Sequence, residues 1–290
     1  MNRAILIILL AFWRIIMILP RKVHIFLAKL IGYLFLISSN KRNKYSKINI
    51  DICFPELSQN QRDHISKKNI ISSGSIIFDT GSAWFWSDNR INKSIPYEIN
   101  GLNDLIKEQK QNKGILLFFK HSLHLELDAR ILGMHAEIYG VEREHNSKYF
   151  QSIQKKGRLK SMKGIIDRNN VLKFIKLLKN GKTVLYAPDQ DYGMKKSIEV
   201  NFFNRPAATV KAPLKIIQNT KCQTFFLNTY IEDGVLILDI EKLKLNESST
   251  IKFLDGLNKY IENKIRKSPY EYLWQHRRFK STLGKKDIYK

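Results

Sequence analysis

The chain has 290 residues, of which 43% are hydrophobic, enough to bury a sizeable core in one large α/β domain or in two smaller ones. Lys and Arg outnumber Asp and Glu by 50 to 26, and the net charge of +24 favours anionic partners such as nucleic acid, anionic lipid or an acidic protein. The two cysteines, Cys53 and Cys222, are far apart, which argues against a disulfide framework or a zinc site and predicts two reduced thiols facing the cytoplasm.

Two apolar runs open the chain. Residues 4–19 are apolar apart from Arg14, and residues 23–37 follow after Pro20, Arg21 and Lys22. The first run is shorter than the roughly 20 residues that span a bilayer, and the apolar region is too long for a secretory signal. A single tilted span over residues 1–20 and a helical pair in the interface both fit. Either makes residues 1–40 a membrane anchor, with a buried helix of a soluble protein as the alternative.

The charges that flank the first apolar run predict a topology. Seven Lys or Arg residues lie between positions 21 and 47, against Arg3 alone before the run. Cytoplasmic segments carry such an excess of positive charge. We therefore predict that residues 41–290 form an α/β domain on the cytoplasmic side.

The rest of the chain shows alternating patterns. Residues 49–88 look helical, with a turn at 54–56 and an aromatic segment at 75–86 suited to a core or a membrane interface. From residue 97 onwards, strand and helix patterns alternate, which predicts a mixed, partly parallel sheet flanked by helices. The predicted strands are 97–99, 115–119, 136–141, 183–187, 222–230 and 235–240; the predicted helices are 102–111, 122–132, 148–156, 169–180, 209–218 and 252–267.

The predicted strand 115–119 leads directly to a histidine. His121 follows it, Ser122 is a candidate N-cap for the next helix, and Glu126 comes five positions after the histidine. Residues i and i+5 do not meet within one helix, but a histidine just before the helix can fold back over its first turn. A carboxylate there would hold one imidazole tautomer. We therefore predict His121 as a general base that Glu126 orients.

Two other readings of this stretch stay open. His124 and Asp128, at i and i+4, would share a helix face and could form a competing dyad. A metal site built from His121, His124, Glu126 and Asp128 is conceivable. However, no further His or Cys cluster has ligand spacing, so we expect no metal ion and no other cofactor.

Several segments in order carry a resemblance that covers nearly the whole chain. They are NIDICFPELS (49–58), AWFW (83–86), HSLHLE (121–126), KGRL (156–159), YAPDQDYG (186–193), FF (202–203), AAT (207–209), YLW (272–274) and RRFK (277–280). Together they resemble the lipid A biosynthesis lauroyl/myristoyl acyltransferases, late membrane acyltransferases of Gram-negative bacteria related to the glycerolipid acyltransferases. The His-x-x-x-x-Glu element is this family's form of a His-x-x-x-x-Asp signature. Asp79 departs from the expected Glu.

The resemblance implies an O-acyltransferase of lipopolysaccharide biosynthesis. A fatty acyl group would leave a thioester on acyl carrier protein for the hydroxyl of a 3-hydroxyacyl chain on a lipid A precursor. The enzyme would lie at the bacterial inner membrane, with its catalytic domain on the cytoplasmic face and in contact with inner-membrane lipids. His121 would remove the hydroxyl proton, and Glu126 would orient it. Arg158 would stabilise the oxyanion or grip a lipid phosphate.

A second polar segment follows the predicted strand 183–187, and should therefore lie at the same sheet edge as His121. We predict structural and substrate-positioning roles for its polar and aromatic members, Asp189, Gln190, Asp191 and Tyr192. Lys195, just beyond, could meet phosphates. The basic charge of the chain also suits the carrier protein and an anionic leaflet.

Two further functions are alternatives. A glycerolipid or lysophospholipid acyltransferase of phospholipid synthesis would share the chemistry, but the Glu at position 126 and the DQDYG run count against it. A non-catalytic, basic, membrane-anchored binding protein would explain only the anchor and the charge. The chain lacks helix-turn-helix, zinc-finger and RNP-like signals, so we expect no nucleic-acid partner.

Overall fold

The computed structural model describes residues 3–38, 40–145 and 147–289. The helices are α1 (Arg3–Ile16), α2 (Arg21–Ile37), α3 (Lys41–Cys53), α4 (Gln59–Ser72), α5 (Ile76–Phe85), α6 (Asp88–Ser94), α7 (Leu102–Lys110), α8 (Leu125–His135), α9 (Lys148–Arg158), α10 (Val171–Lys179), α11 (Ala212–Thr220), α12 (Thr250–Lys267) and α13 (Lys285–Ile288). The strands are β1 (Tyr97–Asn100), β2 (Ile115–Phe119), β3 (Tyr139–Glu142), β4 (Gly164–Asp167), β5 (Thr183–Tyr186), β6 (Ser197–Phe202), β7 (Arg205–Val210), β8 (Gln223–Glu232) and β9 (Val235–Lys242).

Seven strands form the main sheet in the order β1-β9-β8-β2-β5-β3-β4. Every neighbouring pair is parallel except β8 and β9, which are antiparallel. Strands β6 and β7 form a separate antiparallel pair. The predicted mixed, partly parallel sheet flanked by helices is confirmed.

Strand β2 lies inside the sheet between β5 and β8. Its first four residues are fully buried, and their side chains alternate between two core clusters: Leu116 and Phe118 on the side of α12, Ile115 and Leu117 on the side of α8. A strand buried on both faces is an uninterrupted apolar run, which explains the sequence of β2. Because β2, β5 and β3 are parallel, the residues that follow them meet at one edge of the sheet.

Helices α1 and α2 form an N-terminal pair that packs on α4 and α5. Met17, between the two helices, is buried, and its carbonyl accepts a hydrogen bond from the Trp86 indole at 2.8 Å. Gly32 of α2 lies against the α4 backbone, where an added Cβ would come within 2.1 Å of the Ile71 carbonyl oxygen. The pair also carries many exposed large apolar side chains, among them Ile8, Phe12, Ile15, Phe26, Leu34 and Ile37.

Of the two arrangements considered for the N-terminus, a single span over residues 1–20 and a helical pair, the structure has two helices. Helix α1 ends at Ile16, before a turn that leads to Pro20 and α2, and Met1 and Asn2 lie outside the described residues. Within the part of the chain that is described, no single helix is long and apolar enough to cross a membrane. Only α2 and α3 together meet that requirement, with an 82° bend between them. The boundary of an anchor at residue 40 stays a prediction.

Local predictions placed several element boundaries wrongly and missed three strands. Helix α8 begins at Leu125 instead of Ser122, and residues 209–210 belong to β7, with α11 starting at Ala212. Strands β4, β6 and β7 were not predicted. The β6–β7 hairpin turns through Phe203 and Asn204, both with positive φ (52° and 55°). This turn has the backbone signs of a type I′ turn without its usual Asn-Gly sequence, which is why the sequence did not reveal it.

Two buried asparagines attach the C-terminal segment, residues 270–276, to the helices near the N-terminus. Each donates two hydrogen bonds from its side-chain amide to backbone carbonyls of this segment. Asn69 donates to Tyr270 (2.9 Å) and Tyr272 (2.8 Å), and Asn49 donates to Trp274 (2.7 Å) and His276 (2.6 Å). Unpaired carbonyls in a core are costly, so these bonds hold the segment against the sheet edge where β2 ends.

Candidate active site

The centre of the candidate site is a histidine–aspartate pair. His121 follows β2 and Asp189 follows the parallel neighbour β5, so both lie at the carboxyl edge of the sheet, where ligand sites of open α/β sheets form. His121 Nδ1 is 2.6 Å from Asp189 Oδ1, and the His121 backbone N–H donates to Asp189 Oδ2 at 2.8 Å. One fully buried carboxylate therefore holds both the backbone and the ring of His121.

This contact determines the protonation pattern of the pair. Burial opposes ionisation of Asp189, but the charge and the two hydrogen bonds of His121 outweigh it and hold the pKa of that carboxyl below its usual range. An ionised carboxylate at Nδ1 requires a proton on that nitrogen. The Nε2 atom is then a proton acceptor, and within the described residues it has no hydrogen-bond partner. His121 can therefore act as a general base through Nε2.

The C-terminal segment braces the loop that contains His121. The Leu273 backbone N–H donates to the His121 carbonyl at 3.0 Å, and the Leu123 N–H donates to the Glu271 carbonyl at 2.9 Å. Burial lowers the pKa of His276 to about 4, although the nearby charge of Asp189 acts to raise it. His276 is therefore neutral at pH 7, and His121 is the histidine that Asp189 stabilises.

The predicted contact between Glu126 and the His121 ring is wrong. Glu126 lies in the first turn of α8, where its carboxylate accepts from the Trp84 indole at 2.8 Å and from Arg158 Nε at 3.1 Å. Among the residues the structure describes, no hydrogen bond or ion pair joins Glu126 to His121. The reason is the later start of α8: residues 121–124 stay outside the helix, so His121 remains beside Asp189 while Glu126 turns towards α9. A catalytic role for Glu126 stays a prediction.

Arg158, the last residue of α9, is paired with two carboxylates. Besides Nε, its Nη2 donates to Glu126, and its Nη1 donates to Glu142 at 2.6 Å. Burial disfavours the guanidinium charge, but Glu126 and Glu142 outweigh it and raise the pKa of Arg158. Arg158 is therefore not an uncompensated cation. Three of its five N–H groups are used in these contacts, which leaves two for a ligand.

The competing dyad of His124 with Asp128 is also wrong. His124 Nδ1 contacts Asp79 Oδ2 at 2.7 Å, and Asp79 Oδ1 contacts Arg21 of α2 at the same distance. Asp128 accepts instead from the hydroxyls of Ser122 and Thr229. Burial alone would lower the pKa of His124, but the hydrogen bond and charge of Asp79 raise it to about 9. A histidine that is protonated at pH 7 cannot be the resting general base.

The four side chains considered for a metal site therefore have separate partners. His121 is held by Asp189, His124 by Asp79, Glu126 by Arg158, and Asp128 by two hydroxyls. In the described ranges, no cluster of three or more His, Cys, Asp or Glu side chains could hold a metal ion. The two cysteines are free and buried.

The remaining predicted residues are spread along the segment after β5. Asp191 accepts from the Gly193 N–H at 2.8 Å and from both the backbone N–H and the hydroxyl of Ser281, so it attaches the C-terminus. Gln190 accepts from the Tyr192 hydroxyl at 3.5 Å, and Tyr192 is 45% exposed. Lys195 is exposed in the 3₁₀ turn Met194–Lys196. None of the described hydrogen bonds or ion pairs joins it to His121 or Asp189.

Sequence reasoning missed several partners at this site. Asp189 was named for a positioning role, but its contact with His121 was not predicted. Glu142, which binds Arg158, comes directly after the predicted strand 136–141, so its position at the sheet edge was a usable signal. Asp79 lies inside α5, and nothing local indicates that it meets His124.

The fold and this geometry define an α/β protein whose His–Asp pair can deprotonate a hydroxyl. Comparisons with known proteins identify a family of acyltransferases, whose reaction requires such a base. The sequence profile described as "Bacterial lipid A biosynthesis acyltransferase" matches residues 1–281. The chain is 35% identical over 286 residues to a lipid A biosynthesis acyltransferase of Haemophilus influenzae, covering 95% of this chain and 90% of the relative.

Two relatives from Escherichia coli are also similar. One is a lipid A biosynthesis lauroyltransferase, 35% identical over 258 residues, which cover 87% of this chain and 83% of the relative. The other is a lipid A biosynthesis palmitoleoyltransferase, 30% identical over 279 residues, which cover 93% and 90%. The chain belongs to the bacterial lipid A biosynthesis acyltransferase family. It is an acyltransferase, and the predicted family is confirmed.

Proposed function

We propose that this acyltransferase moves a fatty acyl group from the thioester of acyl carrier protein to the hydroxyl of a hydroxyacyl chain on a lipid A precursor. The observation that carries this proposal is the His121–Asp189 pair at 2.6 Å. Nε2 of His121 takes the hydroxyl proton as the oxygen attacks the thioester carbonyl, and Asp189 stabilises the resulting imidazolium. When the carbon–sulfur bond breaks, the imidazolium returns the proton to the departing thiolate. The products are an ester and a free thiol.

The choice of donor and acceptor is supported by charge and by the relatives. The two relatives from Escherichia coli are a lauroyltransferase and a palmitoleoyltransferase, which supports a long-chain acyl group. A net charge of +24 suits an acidic carrier protein as donor. Acidic and phosphorylated partners are both attracted by such a surface.

Mass spectrometry of lipid A tests the proposal directly. Cells with the protein should carry one more acyl chain on part of their lipid A than cells without it, and the mass difference should equal one fatty acyl group. Unchanged lipid A together with altered phospholipids would contradict the proposal and favour a glycerolipid acyltransferase.

We also propose that helices α1 and α2 hold the enzyme on the cytoplasmic face of the inner membrane, with their exposed apolar side chains in the lipid interface. Amphipathic helices bind membranes in this way through apolar area and basic charge. The apolar residues named for this pair and the seven basic residues between positions 21 and 47 support this arrangement. A C-terminal reporter that works only in the cytoplasm should be active; activity of a periplasm-dependent reporter would contradict the topology.

For Arg158 we propose that it positions Glu126 and offers its two remaining N–H groups to the oxyanion. Arg158→Lys keeps the charge but cannot bridge Glu126 and Glu142 through a planar fork of donors. We expect turnover to fall by about 10²-fold, as when an oxyanion donor is lost, with little change in KM. Steady-state kinetics of the purified enzyme measures both.

Arg143→Lys, an exposed arginine next to Glu142, is the matched control and should keep full activity. Near-normal turnover of Arg158→Lys would show that Arg158 contributes only positive charge and no specific hydrogen bonds to the transition state. It would leave the oxyanion to backbone N–H groups at the sheet edge.

A further inference from the structure

A pocket of about 430 Å³ opens between the end of α1, the α5–α6 junction and α9. Neither His121 nor Asp189 lines it. One wall is aromatic and consists of Trp84, Phe85 and Trp86. Four cationic side chains from three different helices and the turn after α9 also line it: Arg14, Arg90, Lys156 and Lys160.

These four cations have no acidic partner. Within the described residues, none of them forms an ion pair, and no Asp or Glu lines the pocket. Arg90 donates to the Ile18 and Leu19 carbonyls at 2.8 Å and stacks on Trp86. The nearby carboxylate of Asp88 is taken by Arg130. Positive charge therefore predominates at the pocket.

The repulsion between the cations of the pocket affects the pKa of Lys160. Its ammonium contacts the Trp86 carbonyl at 3.3 Å. Partial burial lowers the pKa of Lys160, and the neighbouring charges of Arg130, Arg14 and Lys156 lower it further, while the charge of Asp88 opposes them. An anion in the pocket would relieve this repulsion, since cations that crowd one another gain most from an opposite charge.

The pocket also borders an apolar surface. Ile18 lines it and is 70% exposed, and Phe12 and Ile15 of α1 are 60% and 62% exposed. A ligand with an anionic head and apolar chains fits both features: the head lies among the cations, and the chains lie along α1. A free nucleotide or a nucleic acid would leave the apolar part uncovered.

The pocket is connected to the candidate active site through a shared side chain. Trp84 forms part of its wall and donates its indole N–H to Glu126 at 2.8 Å. Gly157 lets α9 approach this ring, because an added Cβ would lie 2.4 Å from Trp84 Cγ. The next residue is Arg158, which also holds Glu126. A ligand head in the pocket is therefore one side chain away from the Glu126–Arg158 pair.

We propose that this pocket binds a phosphate group of a lipid, and that the lipid is the phosphorylated acceptor of the reaction. The identity of the lipid as acceptor rests on the proposed function; the phosphate site itself does not. Lys and Arg donors suit phosphate oxygens through charge-assisted hydrogen bonds. A phosphate bound here would position the acceptor so that its hydroxyacyl chain reaches His121.

The test compares two double variants with equal charge changes on the same part of the chain. Lys156→Gln/Lys160→Gln removes two cations from the pocket. Lys148→Gln/Lys155→Gln removes two exposed cations of α9 that do not line it. Binding of the full-length protein in neutral detergent micelles is titrated with a bisphosphorylated lipid A precursor and with its enzymatically dephosphorylated form. Acyl donor is left out, so the result does not depend on turnover.

We expect the pocket variant to bind the phosphorylated lipid at least about tenfold more weakly, the loss typical of a removed charge-assisted hydrogen bond. Its affinity for the dephosphorylated lipid should not change, and the control variant should match the wild type for both. Equal affinities of the two double variants for the phosphorylated lipid in micelles, together with equal affinities for the anionic vesicles described next, would overturn the proposal.

A second arm identifies the source of the phosphate. The same proteins are titrated with vesicles of phosphatidylcholine alone or with phosphatidylglycerol added. A pocket-specific loss only with the phosphatidylglycerol vesicles would keep a lipid-phosphate site but overturn its assignment to the acceptor. A selective loss with the precursor in a protein that shows no acyl transfer would support the pocket while contradicting the proposed function.

Discussion

The variant His121→Ala is expected to lose acyl transfer by about 10²–10⁴-fold, the range found when a general base is removed. His121 Nε2 is the free base of a ring whose Nδ1 is held by Asp189, and the neighbouring His124 is protonated and bound to Asp79. No described histidine is placed to substitute for it. Turnover of the purified variant with acyl carrier protein thioester and acceptor measures the loss.

His121→Ala should still fold and associate with membranes, because the backbone N–H at position 121 still donates to Asp189. Its thermal midpoint should fall, however, because the fully buried Asp189 carboxylate loses its contact with the ring, and removing one member of a buried pair is costly. Turnover is therefore compared at a temperature at which both proteins are folded. His64→Ala removes an exposed histidine of α4 and should retain full activity. If His121→Ala kept near-normal turnover, the assignment of the base would be wrong.

Asp189→Asn is expected to lower turnover by a similar factor, about 10²–10⁴-fold. Asp189 accepts both the backbone N–H and the ring N–H of His121 with separate oxygens. An asparagine has one oxygen for these two donors. When that oxygen accepts the backbone N–H, the amide NH₂ faces Nδ1 and favours the tautomer with the proton on Nε2, which cannot act as a base.

The kinetic pattern separates this effect from a loss of binding. KM should change little while kcat falls, because the interaction is made chiefly in the transition state. Glu126→Gln is the informative comparison, because the spacing in the sequence predicts that the Glu126 carboxylate orients His121. If kcat fell strongly in Glu126→Gln but not in Asp189→Asn, the His121–Asp189 pair would not be the catalytic dyad. Thermal midpoints of both variants report any loss of folded protein.

A chain of charged contacts connects the N-terminal helices to the loop of His121. Arg21 of α2 binds Asp79, Asp79 binds His124, and His124 Nε2 is 3.6 Å from Glu271 of the C-terminal segment. Removing one member of a buried ion pair leaves an uncompensated charge, which is costly. This network therefore fixes α2, α5 and the catalytic loop relative to one another, and it explains why a buried, protonated histidine lies three residues from the general base.

The local features of this protein could be predicted from sequence. The apolar run of β2 predicts a strand buried on both faces, and the alternation of patterns after residue 97 predicts a mixed α/β sheet. The position of His121 at the end of β2 follows from the same run, and the ordered motifs were enough to identify the family. These features depend on side-chain periodicity and short motifs, which are readable along the chain.

The partner of His121 was decided only by the tertiary structure. Sequence spacing favoured Glu126, five residues away, but the ring contacts Asp189, which is 68 residues away. Periodicity shows which face of a strand is buried, but it does not show which strands are neighbours. Because β2 and β5 are parallel neighbours, Asp189 lies beside His121. A contact between residues that follow parallel strands depends on strand order, and strand order is set by the packing of the whole sheet.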